Sequence, residues 1–294
     1  MKNPIVCIPN VSEAKNFKIV KKLANTIEDS DGAKLVDLNT DIDHNRSVFT
    51  ILVETKNVID VLSKFYNEAS SQIDIREHRG EHPRIGVVDV MPLVSGGKFK
   101  SFKLLPLAKE LASCVAHNLS IPVFLYQDSA TNEQNKSLAK IRAGGLQKLA
   151  QRLKTQKIVA DFGPQKLNLT FGATVIGVRG VLIAFNMKLD TQKISIAKKI
   201  AKAIRESSGG MPYVQAIGIS LKSWGVCEVS CNLLNYKATT IYDVFVRVCS
   251  LAKQLGVPTI GSQIIGVPPR DVFARGNKSR LRLLETQKVL EDFI

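Results

Sequence analysis

The spacing of apolar and polar positions predicts the same succession of elements twice along the chain. Alternating or continuous apolar runs predict strands, and apolar residues three and four positions apart predict helices. The elements of the first half, in chain order, are a strand at 5–10, a helix at 16–30, strands at 33–38 and 47–54, a helix at 56–71 and a strand at 84–94. Those of the second half are a strand at 181–189, a helix at 191–207, strands at 213–221 and 226–234, a helix at 241–256 and a strand at 259–266.

This repeated order predicts an α/β (α+β) protein of two ferredoxin-like βαββαβ subdomains, at residues 1–179 and 180–294. Helices on one face of each sheet leave the other faces to be buried. We therefore expect the two sheets to face each other across a substrate cleft or tunnel. The first half also receives the elements between the two copies, which are a helix at 101–118, a strand at 121–126 and a basic helix within 136–157. A last helix is predicted at 279–294.

The composition adds a basic surface to this picture. The chain has 294 residues and a formal net charge of +15, which favours anionic partners such as nucleic acid, phosphates or polycarboxylates. Neither an apolar run of about 18 residues nor a signal-peptide pattern is present, so we expect a cytoplasmic protein. The basic stretch 136–157 has no acidic residue, but no nucleic-acid-binding motif and few aromatic side chains accompany it.

The five cysteines are odd in number and scattered among apolar runs, which indicates reduced thiols. Cys227 and Cys231 alternate within a predicted strand, so both should lie on one face of it. A zinc site would need further ligands close by in the sequence, and these are missing. We therefore expect no metal.

Polar residues at the predicted strand ends are the candidates for a ligand site. They are Asn10, Asp37, Asn39, Asn45, Arg46, His82 and Arg84 from the first half, and Ser262 and Gln263 from the second. Arg46 stands at a strand start, where a guanidinium can bind a carboxylate through two hydrogen bonds. The loop around it is also rich in turn-forming residues, which is the alternative explanation for its aspartates.

The stretch HRGEHPRIGVVDV places a histidine, His82, on a rigid turn that enters a strand. An imidazole can exchange a proton near neutral pH, Glu81 could orient it, and Arg84 could bind an anionic substrate. A purely structural role for His82 is the alternative. The four-residue spacing from His78 suits a metal only on a helix, and Gly80 with Pro83 prevents one here.

Several stretches resemble the formiminotransferase family in sequence and order. They are CIPNVSEAKN, DHNRSVFT, HRGEHPRIGVVDVMP, IPVFLY, IRAGG, DFGP with FGATVIGVRGVLIAFN, and GSQIIG. The resemblance implies two α/β subdomains that face each other across a tunnel, in a homodimer, and it assigns catalysis to His82 of the GEHPR motif. It assigns folate binding to Gly163, Pro164, Gln165, Lys166, Leu167, Asn168, Leu169, Thr170, Phe171 and Gly172.

The resemblance further implies transfer of a formimidoyl group from N-formimidoyl-L-glutamate to tetrahydrofolate, as in histidine degradation. The products are 5-formimidoyltetrahydrofolate and glutamate, with tetrahydrofolate as cosubstrate, no metal, and no cyclodeaminase domain in this chain. The basic composition fits substrates that carry several carboxylates, including polyglutamylated folate. In that chemistry His82 protonates the departing amine of glutamate.

Two alternatives remain at this point. Relatives of the family use 5-formyltetrahydrofolate as a formyl donor to glutamate, and the sequence does not separate the two reactions. The chain also departs from the family at Asn39, where the animal bifunctional enzymes have aspartate, and at Gly145 and Phe171. These departures, with a divergent stretch after Gly266, leave open an inactive folate-binding or nucleic-acid-binding relative.

Overall fold

A computed structural model describes residues 1, 4–81, 83–95, 100–274 and 278–294. Contacts between residues divide the chain into two compact units, Met1–Gly180 and Val181–Ile294. Each unit has its own β-sheet and its own hydrophobic core. The mixed α/β fold with two separate sheets, which the sequence predicts, is therefore confirmed.

The first unit combines a ferredoxin-like core with two added strands. Its strands are β1 (Pro4–Cys7), β2 (Asn10–Val11), β3 (Ala33–Asp41), β4 (Arg46–Glu54), β5 (Val88–Val94), β6 (Val123–Gln127) and β7 (Thr174–Arg179). Its helices are α1 (Phe17–Glu28), α2 (Val58–Gln72), α3 (Ser101–Leu119), α4 (Leu138–Arg142) and α5 (Gly145–Lys154), with a 3-10 turn at Thr55–Asn57.

These strands form one seven-stranded sheet. Strand β3 pairs with β4. Strands β1 and β2 together occupy one position in the sheet, between β4 and β5, and each pairs with both of these neighbours. Pro9 lies between β1 and β2 and has no N–H to donate, so the ladder is interrupted there. Strand β7 then runs parallel to β5 and to β6, which extends the sheet beyond the βαββαβ order.

Helices pack on both faces of this sheet. The apolar residues of α1, α2 and α3 join the larger core with alternate residues of the strands, such as Phe49 and Ile51 of β4. On the opposite face α4 and α5 bury Ile141, Leu149 and Leu153 against β6 and β7. The spacing of these apolar residues is that of one helical face, which is why the segments fold as helices on a sheet.

The second unit is an antiparallel four-stranded sheet with two helices. Its elements are β8 (Ile183–Leu189), α6 (Ile194–Ile204), β9 (Val214–Leu221), β10 (Val226–Leu233), α7 (Ile241–Gln254) and β11 (Thr259–Ile265), with a 3-10 turn at Glu206–Ser208. The strand order is β11-β8-β10-β9, which is the ferredoxin-like arrangement. A capping box between Thr240 and Asp243 begins α7.

Two sequence-based predictions about secondary structure are wrong, and one strand is not predicted. The basic helix is two helices, because Gly144 adopts a left-handed conformation with φ of 80° between them. No strand is predicted at 174–179, where the structure has β7. The predicted final helix at 279–294 is an irregular segment with 3-10 turns at Lys278–Leu281 and Leu290–Asp292, and another 3-10 turn precedes it at Arg270–Phe273. Part of this segment pairs its main chain with Ser262 of β11.

Among the described helices, none has the length and apolar character needed to cross a membrane.

Candidate active site

Four of the predicted site residues lie on the face of the first sheet that points away from α1, α2 and α3. Asn39 of β3 and Asn10 of β2 both pair in register with Val48 of β4, from opposite sides. The residue after Val48 belongs to the helix-side core, so Val48 and its partners point to the other face. Asp37 lies two residues before Asn39 and accepts a hydrogen bond from its amide, and Arg46 lies two residues before Val48. A polar row therefore crosses this face.

Asn45 connects this face to the loop at residues 78–84, which contains the GEHPR motif and which we call the motif loop. Its backbone is left-handed, with φ of 46°, a conformation that asparagine tolerates better than most residues. The Asn45 side-chain oxygen accepts hydrogen bonds from the main-chain N–H of Ala14 at 2.8 Å and of Lys15 at 3.3 Å. Its main-chain oxygen lies 2.8 Å from Nε2 of the buried His78. The turn before β4 thus holds the start of the motif loop.

The motif loop is fixed on both sides of residue 82. The Glu81 N–H donates to the Asp43 carbonyl at 3.1 Å, and Arg84 donates to the carbonyls of Gly80 and His78, each at 3.1 Å. A Cβ on Gly80 would lie 2.3 Å from the main-chain oxygen of His44, so a side chain does not fit there. His82 itself lies outside the described residues.

A buried ion cluster lies beside this loop, and its centre is Asp89 of β5. Asp89 is fully buried, and its Oδ2 accepts hydrogen bonds from Arg46 Nη1 at 2.8 Å and from Arg142 Nη2. Its Oδ1 accepts the main-chain N–H of Ile85 at 2.8 Å. Arg46 also donates from Nε and Nη2 to the Asn10 side-chain oxygen, at 3.1 and 2.8 Å. We call Asp89, Arg46 and Arg142 the Asp89 cluster.

The environment of the cluster keeps Asp89 ionised. Burial acts to raise the pKa of Asp89, but the charges of Arg142 and Arg46 and the hydrogen bonds to the carboxylate hold that pKa below its ordinary value. Burial lowers the pKa of Arg46 to about 10, which still leaves it charged at neutral pH. The cluster therefore carries two positive charges and one negative charge.

Asp89 and Arg142 are site candidates that were not predicted from the sequence. A single aspartate within the apolar run IGVVDV was the available signal, because a buried carboxylate needs partners. Arg142 belongs to the stretch IRAGG, but the distance of 53 residues between it and Asp89 hides the pairing. Only the packing of α4 over β5 brings the two side chains together.

The stretch 163–172 is a loop stabilised by its own side chains. The Gln165 amide makes two hydrogen bonds to the main chain of Ala160, at 2.8 and 3.0 Å. The Asn168 side-chain oxygen accepts the N–H groups of Thr170 and Phe171, both at 3.0 Å. Lys166 and Leu169 are exposed, and Leu167 packs at the edge of the core beneath α5.

The two ends of this loop have different surroundings. Gly163 and Pro164 border a pocket of about 400 Å³ at the end of α3, which His117 also lines. Gly172 forms an antiparallel bridge with Gly86, and the Val87 N–H donates to the Phe171 carbonyl at 2.9 Å. The end at Gly172 therefore lies next to the segment that follows the motif loop.

In the second unit, Gln263 of β11 pairs in register with Asn186 of β8, and its amide donates to Glu285 at 3.1 Å. The Ser262 hydroxyl is fully buried and donates to the Leu281 carbonyl. Cys227 and Cys231 both lie in the core of this unit, so the prediction that they share a strand face is confirmed. The cysteines are free thiols. In the part of the chain that the structure describes, His, Cys, Asp and Glu form no group of three that could hold a metal.

These features define a two-unit α/β protein with a polar face and a buried ion cluster in its first unit. The chain belongs to the formiminotransferase family. The model of the N-terminal subdomain of the formiminotransferase domain matches residues 4–179, and that of the formiminotransferase domain matches residues 184–289. The predicted family membership is therefore confirmed.

Curated relatives agree with this assignment. A glutamate formimidoyltransferase of Streptococcus pyogenes serotype M1 is 36% identical, over 98% of this chain and 94% of that protein. One of Thermoplasma acidophilum is also 36% identical, over 95% of this chain and 92% of its own. The formimidoyltransferase-cyclodeaminase of Rattus norvegicus is 34% identical, and the match covers 92% of this chain but 51% of that protein.

The Asp89 cluster should contribute strongly to stability. Asp89→Asn keeps the shape of the side chain but leaves two buried guanidinium groups without a counter-charge, so we expect the free energy of unfolding to fall by roughly 3–5 kcal/mol. Urea denaturation at pH 7 measures this. Asp60→Asn is the control, because its ion pair with Lys64 is exposed and its loss should change stability little. Equal effects of the two substitutions would contradict a structural role for the cluster.

His78 should make stability depend on pH. Burial lowers the pKa of His78, whose Nδ1 is buried and has no hydrogen-bond partner among the described residues. The unfolded chain takes up this proton near pH 6.5. The stabilisation is therefore complete above about pH 6.5 and is lost as the pH falls towards the folded-state pKa. Urea titrations between pH 7 and 5 should give a shallower slope for His78→Gln than for the wild type. The remaining slope includes His44, whose pKa burial also lowers. Identical slopes would refute the prediction.

Proposed function

We propose that this protein transfers a formimidoyl group from N-formimidoyl-L-glutamate to tetrahydrofolate. The observation that best supports this is the complete GEHPR motif on a loop fixed on both sides, in a chain that matches the family along both units. Tetrahydrofolate is the cosubstrate, and the products are 5-formimidoyltetrahydrofolate and glutamate. The activity belongs to histidine degradation in the cytoplasm, and the active protein is a homodimer.

The transfer requires that the attacking nitrogen loses one proton and that the leaving nitrogen gains one. N5 of tetrahydrofolate attacks the formimidoyl carbon and forms a tetrahedral intermediate, and N5 then gives up its proton. The bond from that carbon to the glutamate nitrogen breaks, and the nitrogen leaves as an amine after it accepts a proton. An amide anion is a very poor leaving group, so a general acid that titrates near neutral pH is required. We assign this role to His82.

The neighbours of His82 have positioning roles in this proposal. Gly80 and Glu81 hold the motif loop against the turn before β4 through main-chain contacts, and Arg84 binds two carbonyls of the same loop. Arg46 already donates to Asp89 and Asn10, so we assign it to the support of the site rather than to a direct clamp on substrate. Asn39 and Asp37 remain candidates for contact with a ligand on the polar face.

The loop at residues 163–172 is the proposed folate-binding segment. Its exposed side chains and its contact with Gly86 support a role beside the motif loop. A chain with a formal net charge of +15 favours folates that carry several glutamate carboxylates. Gln263 is the corresponding candidate from the second unit.

A comparison of donors tests the proposed activity. Purified protein should convert N-formimidoyl-L-glutamate and tetrahydrofolate to free glutamate and 5-formimidoyltetrahydrofolate, measured by chromatography of both products. In a second assay, 5-formyltetrahydrofolate and glutamate replace these substrates. Turnover only in the second assay would replace formimidoyl transfer by formyl transfer, and turnover in neither would contradict an enzymatic role.

His82→Ala should lower kcat by roughly 10²- to 10⁴-fold, which is the usual contribution of general acid catalysis. Affinity for tetrahydrofolate, measured by calorimetry, should change little, because the substitution removes a proton donor rather than a folate contact. The wild type should also lose activity across a pH limb near neutrality that is missing in the variant. An unchanged melting temperature excludes misfolding as the cause. Full turnover with the same pH profile would make His82 structural.

A further inference from the structure

We propose that Arg142 binds a glutamate carboxylate of a substrate and that Asp89 holds the guanidinium group in position for this. The inference deepens the proposed formimidoyl transfer and rests on it for the identity of the substrate. Arg142 is the last residue of α4, and its partner Asp89 is a fully buried residue of β5.

The charge balance of the Asp89 cluster favours an anionic ligand. Two guanidinium groups share one carboxylate, so one positive charge in this buried place is not compensated within the cluster. A buried charge without a counter-charge is unfavourable, and a bound carboxylate would supply that counter-charge.

The hydrogen bonds identify Arg142 as the arginine that can accept this ligand. Arg46 donates from all three of its guanidinium nitrogens, to Asp89 and Asn10. Arg142 donates from Nη2 to Asp89, while its Nε is buried and has no hydrogen-bond partner among the described residues. Its side chain is 12% exposed, compared with 7% for Arg46. A guanidinium with donors left on a fixed plane suits a carboxylate.

The local structure keeps Arg142 in this position. Ile141 packs in the core between the sheet and α5, and Arg152 donates from Nη1 to the carbonyls of Lys140 and Ile141 at 3.1 and 3.0 Å. Asp89 also accepts the N–H of Ile85, which follows the motif histidine by three residues. One carboxylate therefore fixes both the anion-binding arginine and the strand entry after the motif. This arrangement would relate the position of a bound carboxylate to that of the general acid.

Both substrates of the proposed reaction carry a glutamate unit, and the experiment separates them. The variant is Arg142→Gln, and Lys154→Gln on the exposed side of α5 is the control for the loss of one charge. Each protein is assayed with N-formimidoyl-glutamate and with its two monoamides, N-formimidoyl-glutamine and N-formimidoyl-isoglutamine. The acceptor is either tetrahydrofolate or tetrahydropteroate, which lacks the glutamate tail.

We expect Arg142→Gln to raise the KM of the substrate whose carboxylate it binds by roughly 10- to 100-fold, the usual effect of losing a charge-assisted hydrogen bond. The kcat should change much less. With the analogue that lacks this carboxylate, the KM values of wild type and variant should differ by less than about 3-fold, since neither protein can then make the interaction. If the difference in KM between wild type and variant disappears with one of the donor amides, or with tetrahydropteroate as acceptor, the proposal is supported. The analogue that removes the difference identifies the substrate whose carboxylate Arg142 binds. An equal loss with every substrate pair would overturn it.

A binding measurement separates this inference from the proposed function. Calorimetry with glutarate and with glutaramide tests carboxylate binding without turnover. Binding of glutarate by the wild type and by Lys154→Gln, with loss in Arg142→Gln, would support the carboxylate site even if formimidoyl transfer were absent. Equal glutarate binding by the three proteins, or equal binding of glutaramide and glutarate by the wild type, would overturn the site.

Discussion

The first unit depends on one buried carboxylate. Asp89 joins the entry to β5, the start of β4 and the end of α4 through the N–H of Ile85 and the guanidinium groups of Arg46 and Arg142. Such a cluster favours one arrangement, because moving any partner leaves a buried charge unpaired. The polar face and the motif loop are built around this fixed centre. The residues that support the candidate site are therefore the same residues that hold β4, β5 and α4 together.

Both units place charged side chains on one face of the sheet, which is the face away from α1, α2 and α3 in the first unit and the face away from α6 and α7 in the second. In the second unit Lys188 of β8 pairs in register with Glu228 of β10, both are buried, and the Lys188 ammonium lies 3.5 Å from the ring centre of Trp224. The first unit forms its cluster differently, because Arg142 comes from α4. The described residues of the second unit contain no equivalent of that helix. The duplicated order of elements has thus been adapted to two kinds of buried polar group.

The sequence predicts most elements because periodicity is a local property. Both βαββαβ orders follow from spacing alone, whereas β7 was missed because its parallel pairing with β5 and β6 depends on distant residues. The split of the basic helix was missed because periodicity does not show that Gly144 adopts a left-handed backbone. Arg46 was a candidate from its place at a strand start, but its partner Asp89 became apparent only when β4 and β5 were brought together around β2. The spacing of apolar residues does not predict which strands pair across the sheet.

The irregular segment after β11 protects the second sheet. Strand β11 is at one edge, and an edge strand exposes main-chain groups that can pair with another chain. Leu283 forms a parallel bridge with Ser262, with the Leu284 N–H donating to the Ser262 carbonyl at 2.9 Å and the Ser262 N–H donating to the Arg282 carbonyl at 3.0 Å. Residues whose apolar spacing predicts a helix thereby occupy main-chain groups of the edge strand that could otherwise pair with another chain.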